Sequence, residues 1–125
     1  TLARARVIGL CAERMQLFGN GSIAVSGIEA GDYDRIGAAE SDCEGAVDFL
    51  RDIDTVEAAA FLREVEPGVF KVSLRSKRAL DVSKIAGCYE GGGHKNAAGC
   101  RVAGTLSSAV NEIKDALLKG TPEDR

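Results

Sequence analysis

Apolar positions recur at helical spacing through residues 2–18, where Leu2, Ala5, Arg6, Gly9, Leu10, Glu13 and Leu17 share a stripe. Val7, Ile8, Cys11 and Met15 widen it, and the pattern predicts one helix over the whole span. Gly19-Asn20-Gly21 is a stop signal, and the β-branched alternation of residues 22–28 predicts a strand. Residues 29–41 read as turn. Ser41 or Asp42 then caps a predicted helix running to Asp54, with Glu44 completing a capping box. The run EAAAFL within residues 56–64 has helical propensity, yet Pro67-Gly68 stands directly before the alternating strand of residues 69–74, so a hairpin is predicted. In that strand Phe70, Val72 and Leu74 point one way, which sends Lys71, Ser73 and Arg75 to the opposite face. Asp81 caps a short helix predicted to reach Tyr89; a strand around residues 98–102 and an amphipathic helix over 105–119 follow, ended by Gly120 and Pro122 before a polar tail. The elements predict a single α/β domain with a central mixed β-sheet of about four to five strands and flanking helices.

Composition agrees with one folded domain. The 125 residues are 45% hydrophobic and 28% charged with two prolines. A chain of this length buries roughly two-thirds of its unfolded surface without needing a metal or disulfide. No window is apolar for long enough to span a membrane, and Arg4, Arg6, Glu13 and Arg14 interrupt the first segment in a way no signal peptide does. Cys11, Cys43, Cys88 and Cys100 include no C-x-x-C pair and read as small buried hydrophobes in a reducing, cytoplasmic setting. The absence of Trp and the six aromatics in all argue against a stacking platform for single strands.

Charge is divided sharply along the chain. Residues 29–66 hold three arginines against twelve acidic residues, whereas residues 69–101 hold seven cations against Asp81 and Glu90. The overall net charge of -3 therefore leaves room for an anionic ligand, which responds to the local field of its cleft. A solvated basic face is the plain alternative.

The second part of the basic segment carries the main clue, Gly91-Gly92-Gly93-His94-Lys95-Asn96-Ala97-Ala98-Gly99. Three adjacent glycines carry a large entropic cost on folding. Close approach of a ligand is one reason for it: backbone N–H groups without neighbouring β-carbons can donate to phosphate oxygens in a concavity, and His94 and Lys95 add donors beside it. The other reading is a flexible connector after Tyr89. Neither the P-loop nor the dinucleotide glycine pattern is present. Cys88, His94 and Cys100 fit no closed zinc spacing and lack a fourth ligand.

The string GGGHKNAAG, preceded by VSLRSKRALDVSKIA, resembles the DHH-associated domain, the C-terminal substrate-binding module of DHH-family phosphoesterases, and most of all that of the RecJ-like nanoRNases. Those enzymes are bifunctional oligoribonucleases and 3'-phosphoadenosine 5'-phosphate phosphatases, with cyclic dinucleotide phosphodiesterases as cousins. The resemblance covers essentially the whole chain. It implies that Arg75, Gly91, Gly92, Gly93 and His94 face a cleft shared with an N-terminal DHH domain and grip the substrate's phosphate and nucleotide, with Ser73, Ser76 and Lys95 as weaker candidates. Where this chain has Glu90, family members often carry a fourth glycine, and the Glu90 side chain is expected to face away from phosphate.

The family's chemistry is metal-assisted hydrolysis with two manganese ions held by aspartates and histidines of the DHH domain. With one His and no Asp-His-His triplet the chain has no such set. The resemblance thus implies a substrate-binding fragment, beginning at Thr1 without Met, that takes a short oligonucleotide or nucleotide phosphate and is hydrolytically inert alone. A stand-alone nucleic-acid-binding domain, a cyclic dinucleotide phosphodiesterase module, and a regulatory or dimerising piece remain the alternatives, and a homodimer is left open.

Overall fold

The structure, a computed structural model, describes residues 1–120. The polar tail and Pro122 lie outside the described residues.

Helix α1 spans Leu2–Arg14, with the Thr1 hydroxyl accepting the Arg4 backbone N–H at 3.2 Å. It is shorter than its apolar stripe predicts. Met15 turns the backbone to an extended conformation, and Gln16–Phe18 becomes an edge strand, β1, paired antiparallel with β2 (Ile23–Ile28). Residues 29–41, expected to be turn, contain helix α2, Ala30–Ile36. The Asp32 carboxylate accepts the Glu29 N–H at its start, and Gly37 closes it with a left-handed φ of 71°. Its few apolar residues hid it from a reading based on periodicity.

The helix expected from Ser41 or Asp42 to Asp54 is also corrected. Residues Glu40–Cys43 form a 3₁₀ turn, Gly45 takes φ 90°, and only Ala46–Arg51 is α-helical, as α3. The hairpin prediction holds: β3 (Ala58–Glu66) and β4 (Val69–Ser76) pair antiparallel across Pro67-Gly68, with a bulge between Glu64 and Glu66. Asp81 does cap helix α4 (Val82–Gly87), accepting the Ser83 N–H at 3.0 Å. The glycine run is neither connector nor loop throughout. Gly92–His94 form a short strand, β5, paired with β6 (Ala97–Ala103) around a turn at Lys95-Asn96. Helix α5, Leu106–Gly120, completes the described chain.

The mixed sheet has six strands in the order β1-β2-β3-β4-β6-β5; only β2 and β3 run parallel. One face is covered along most of its width by α4 and α5, whose Val82, Ile85, Val110, Ile113 and Leu117 meet Phe70, Val72, Leu74, Ala98 and Cys100. Burying each large side chain of this layer contributes roughly 1.5–3 kcal/mol. The opposite face packs α1, the 3₁₀ turn and α3 mainly over β2 and β3, through Val7, Leu10, Val47 and Leu50 against Ala24, Ile28, Ala59 and Phe61, and α3 also reaches β4, where Asp48 meets Arg75. Beyond β4 that second face has no helix packed on it. β4 alternates half-buried and buried residues along its whole length.

Candidate phosphate-binding face

The strand register determines what the uncovered half-face displays, because directly paired residues project to the same side. Three rows cross it. The first is Arg63, Lys71 and Arg101; the second is Phe61, Ser73, Gly99 and Gly92; the third is Ala59, Arg75, Ala97 and His94. The middle row ends in two adjacent glycines, so the outer part of the face is a strip floored by backbone. Cations stand on one side of it, and Arg75 and His94 on the other.

Two cavities follow this strip. One, of about 590 Å³, is lined by Arg63, Lys71, Ser73, Gly91, Gly99 and Arg101 among others. The second, of about 390 Å³, lies between the 3₁₀ turn, α3 and the β3–β4 hairpin, and shares Arg63 and Ser73 with the first while adding Arg75 and Asp48.

Arg75 is held on two sides. Its Nε donates to Asp48 Oδ1 at 3.2 Å and one terminal nitrogen donates to the Leu74 carbonyl at 2.9 Å. Asp48 also receives Arg51 at 3.0 Å. The remaining guanidinium donors of Arg75 have no partner among the described residues, and such a fork is of the kind that can bind a carboxylate or phosphate in a bidentate way. The His94 ring, on the edge strand, is exposed and has no hydrogen-bond partner among the described residues. Lys95 is exposed at the β5–β6 turn.

Ser76 does not join the site. It faces away from Arg75 and is buried, its hydroxyl donating to the Leu80 carbonyl at 2.7 Å and accepting Asn96 Nδ2 at 2.8 Å. A buried hydroxyl with both capacities used is structural. Through it and the Ser76 N–H, which donates to the Asn96 carbonyl, the β5–β6 turn is fastened to the end of β4. Ser73, by contrast, stands beside Gly99 on the open face.

The three glycines separate by what a side chain would meet. A β-carbon on Gly91 would lie 2.2 Å from the Gly99 carbonyl oxygen, and one on Gly93, whose φ is 147°, 2.6 Å from the Ala97 carbonyl oxygen and the Ala98 Cα. Both are required by the packing of the hairpin. A β-carbon on Gly92 would meet nothing within 4 Å. Gly92 alone of the three has no packing reason to be glycine, and it lies on the open face.

Glu90 borders the larger cavity, whose lining also includes Arg63, Lys71 and Arg101. Its φ of 59° is left-handed, a conformation that disfavours any residue with a β-carbon by roughly 1–2 kcal/mol. Glu90→Gly is expected to raise stability by up to about 1 kcal/mol, the relief offset by glycine's entropy, and to tighten anion binding; urea unfolding and phosphate titration check both.

Cys11, Cys43 and Cys100 are buried as expected, whereas Cys88, the C-cap just past α4, is exposed. Burial, and secondarily the Glu112 charge, pushes the Cys100 thiol up to about 11, so at neutral pH it is a protonated, small apolar group. Among the described residues no group of three or more His, Cys, Asp or Glu side chains is placed to hold a metal ion. The donor set here does not fit a manganese site.

Sequence reasoning placed Lys71 on this face but did not extend the row to Arg63 and Arg101. The signal was present: period-two alternation in residues 97–103 already places Arg101 opposite the buried Cys100 and Val102.

Comparison with known proteins agrees with this geometry. The DHHA1 domain matches residues 20–119. Over 80 residues the chain is 36% identical to the bifunctional oligoribonuclease and PAP phosphatase NrnA of Thermus thermophilus, a match covering 63% of this chain and 24% of that protein. The chain thus matches about a quarter of the length of this curated relative. An exopolyphosphatase-related protein of Bacteroides fragilis superposes with a TM-score of 0.85 at 29% identity, over 95% of this chain and 35% of that one. The pGpG-specific phosphodiesterase PggH of Vibrio cholerae shares the fold, with a TM-score of 0.64 at 14% identity over 99% of this chain and 41% of the other. With four-fifths of its residues matched, and with the glycine hairpin and Arg75 meeting on one open sheet face, the chain belongs to the DHHA1 domain family.

Proposed function

We propose that the chain is the substrate-binding module of a metal-dependent phosphoesterase that hydrolyses short RNA or phosphoadenosine phosphate. In this reading Arg75 and His94 hold a phosphate, the backbone around Gly92 and Gly99 lets sugar or base lie close to the sheet, and Ser73 and Lys95 add hydrogen bonds at its border. Hydrolysis belongs to an N-terminal DHH domain bearing manganese, which faces the uncovered half of the sheet. The contribution of this chain is positioning and electrostatic stabilisation of the phosphate. The observation that carries the reading is Gly92: a glycine with open space beside it, paired with Gly99 and one row from His94 and Arg75, on strands that no helix covers on this face.

Titration with adenosine 5'-monophosphate followed by NMR is expected to shift the amides of Arg75, Gly92, His94 and Gly99, and an Arg75→Ala/His94→Ala variant to lose those shifts. Shifts confined to other surfaces, or unchanged in the variant, overturn the reading. Phosphoadenosine phosphate with added manganese is expected to stay intact in the presence of the chain alone.

A further inference from the structure

Arg63, Lys71 and Arg101 are paired directly across three adjacent strands. Neighbouring strands are spaced about 4.8 Å apart, and like charges directly opposite one another destabilise a sheet. Arg63 is partly neutralised by Glu40, at 3.3 Å. Lys71 and Arg101 have no acidic partner among the described residues. The row lines the larger cavity, whose lining includes three cations and a single acidic residue, Glu90. Nothing in the packing of this face calls for such a row, since the side chains around it are half-buried or exposed and no helix covers them.

We infer that Lys71 and Arg101, with Arg63 beside them, form a second phosphate subsite that selects oligonucleotides over mononucleotides. The inference rests on the reading of Arg75 and His94 as the first subsite. Lys71 and Arg75 are four residues apart on β4, or about 13 Å along an extended strand. That is further than one nucleotide monophosphate reaches. Ser73, Gly99 and Gly92 lie between the two sets of cations with little side chain above the sheet, so the sugar-phosphate chain can cross the strip from one to the other. The cation row is thus a length gauge: a ligand with a single phosphate uses one end of the face, and a ligand of a few nucleotides uses both.

The test compares adenosine 5'-monophosphate with a 5'-phosphorylated adenine trinucleotide by calorimetric titration at low salt. The trinucleotide is expected to bind at least tenfold tighter than the mononucleotide. Lys71→Gln/Arg101→Gln is expected to remove most of that advantage while leaving mononucleotide affinity within about twofold, and to unfold no earlier than the parent because the like-charge row is relieved. A Lys84→Gln/Lys119→Gln variant removes the same charge from exposed positions on α4 and α5 and is expected to keep the advantage. Equal affinities for the two ligands, or an equal loss in both double variants, overturns the second subsite and leaves the first standing. Failure of both ligands to bind in an Arg75-dependent way overturns the proposed function itself, and the subsite with it.

Discussion

Gly91→Ala and Gly93→Ala are each expected to lower stability by about 3 kcal/mol, the scale of forced overpacking combined with backbone strain, whereas Gly92→Ala leaves the urea midpoint unchanged or slightly raised. The difference comes from the atoms each new methyl group meets. At Gly91 and Gly93 these are backbone atoms of β6 at 2.2–2.6 Å, which cannot move without breaking the hairpin's pairing with its own turn. Gly92 meets nothing within 4 Å, and replacing glycine inside a strand recovers roughly 0.5–1 kcal/mol of entropy. Its cost falls on binding: a methyl group on the strip beside Gly99 should weaken adenosine monophosphate about tenfold. Urea unfolding and the NMR titration, run on all three variants, separate the two roles. Equal destabilisation by all three would make the whole run structural.

The second large effect lies at the start of helix α2. Asp32 is buried, its side chain 8% exposed, and accepts Arg14 at 2.8 Å, Arg35 at 2.9 Å and the Glu29 N–H at 2.7 Å. Burial pushes its pKa up, but the hydrogen bonds from Arg14, the Glu29 backbone and Arg35 outweigh that and hold the carboxyl well below the usual carboxylate range. Asp32→Ala strands the half-buried Arg14 and uncaps α2, and is expected to cost about 3 kcal/mol at pH 7. Because the folded-state value is depressed, this stability is complete above the unfolded pKa near 4 and is lost as pH falls through the folded value. Unfolding curves of parent and variant should therefore draw together as the pH is lowered from 5 to 2. A constant gap over that range would place the effect in packing alone.

Which parts of this molecule could be read from its sequence depends on how far each signal extends along the chain. The β3–β4 hairpin and the facing of Lys71, Ser73 and Arg75 were legible because alternation over a long strand with a Pro-Gly turn admits one register. Helix α2 was not, since its stability comes from Asp32 reaching Arg14 and Glu29, contacts that no periodicity records. The stop of α1 was hidden because Leu17 continues the helical spacing; pairing of Gln16–Phe18 with β2 is a tertiary outcome. The glycine run was legible as a conformational anomaly and a candidate site but not as a strand, because β5 acquires its conformation only from β6 beside it. Ser76 sits in the same motif as Arg75, yet one step along a strand reverses the face, which removes it from the site. Arg63 and Arg101 lie on strands to either side of β4, and only the register across the sheet joins them to Lys71.

The Arg75–Asp48 pair gives the open face a property of exchange. Asp48 occupies one edge of the guanidinium and is itself held by Arg51. An arriving anion that takes Arg75 either shares it with this carboxylate or releases Asp48 to a partner already in place. Neither course leaves a charge stranded. If the face takes an anion as proposed, arrival and departure require little rearrangement, which suits it to brief occupancy by successive anions more than to the retention of one.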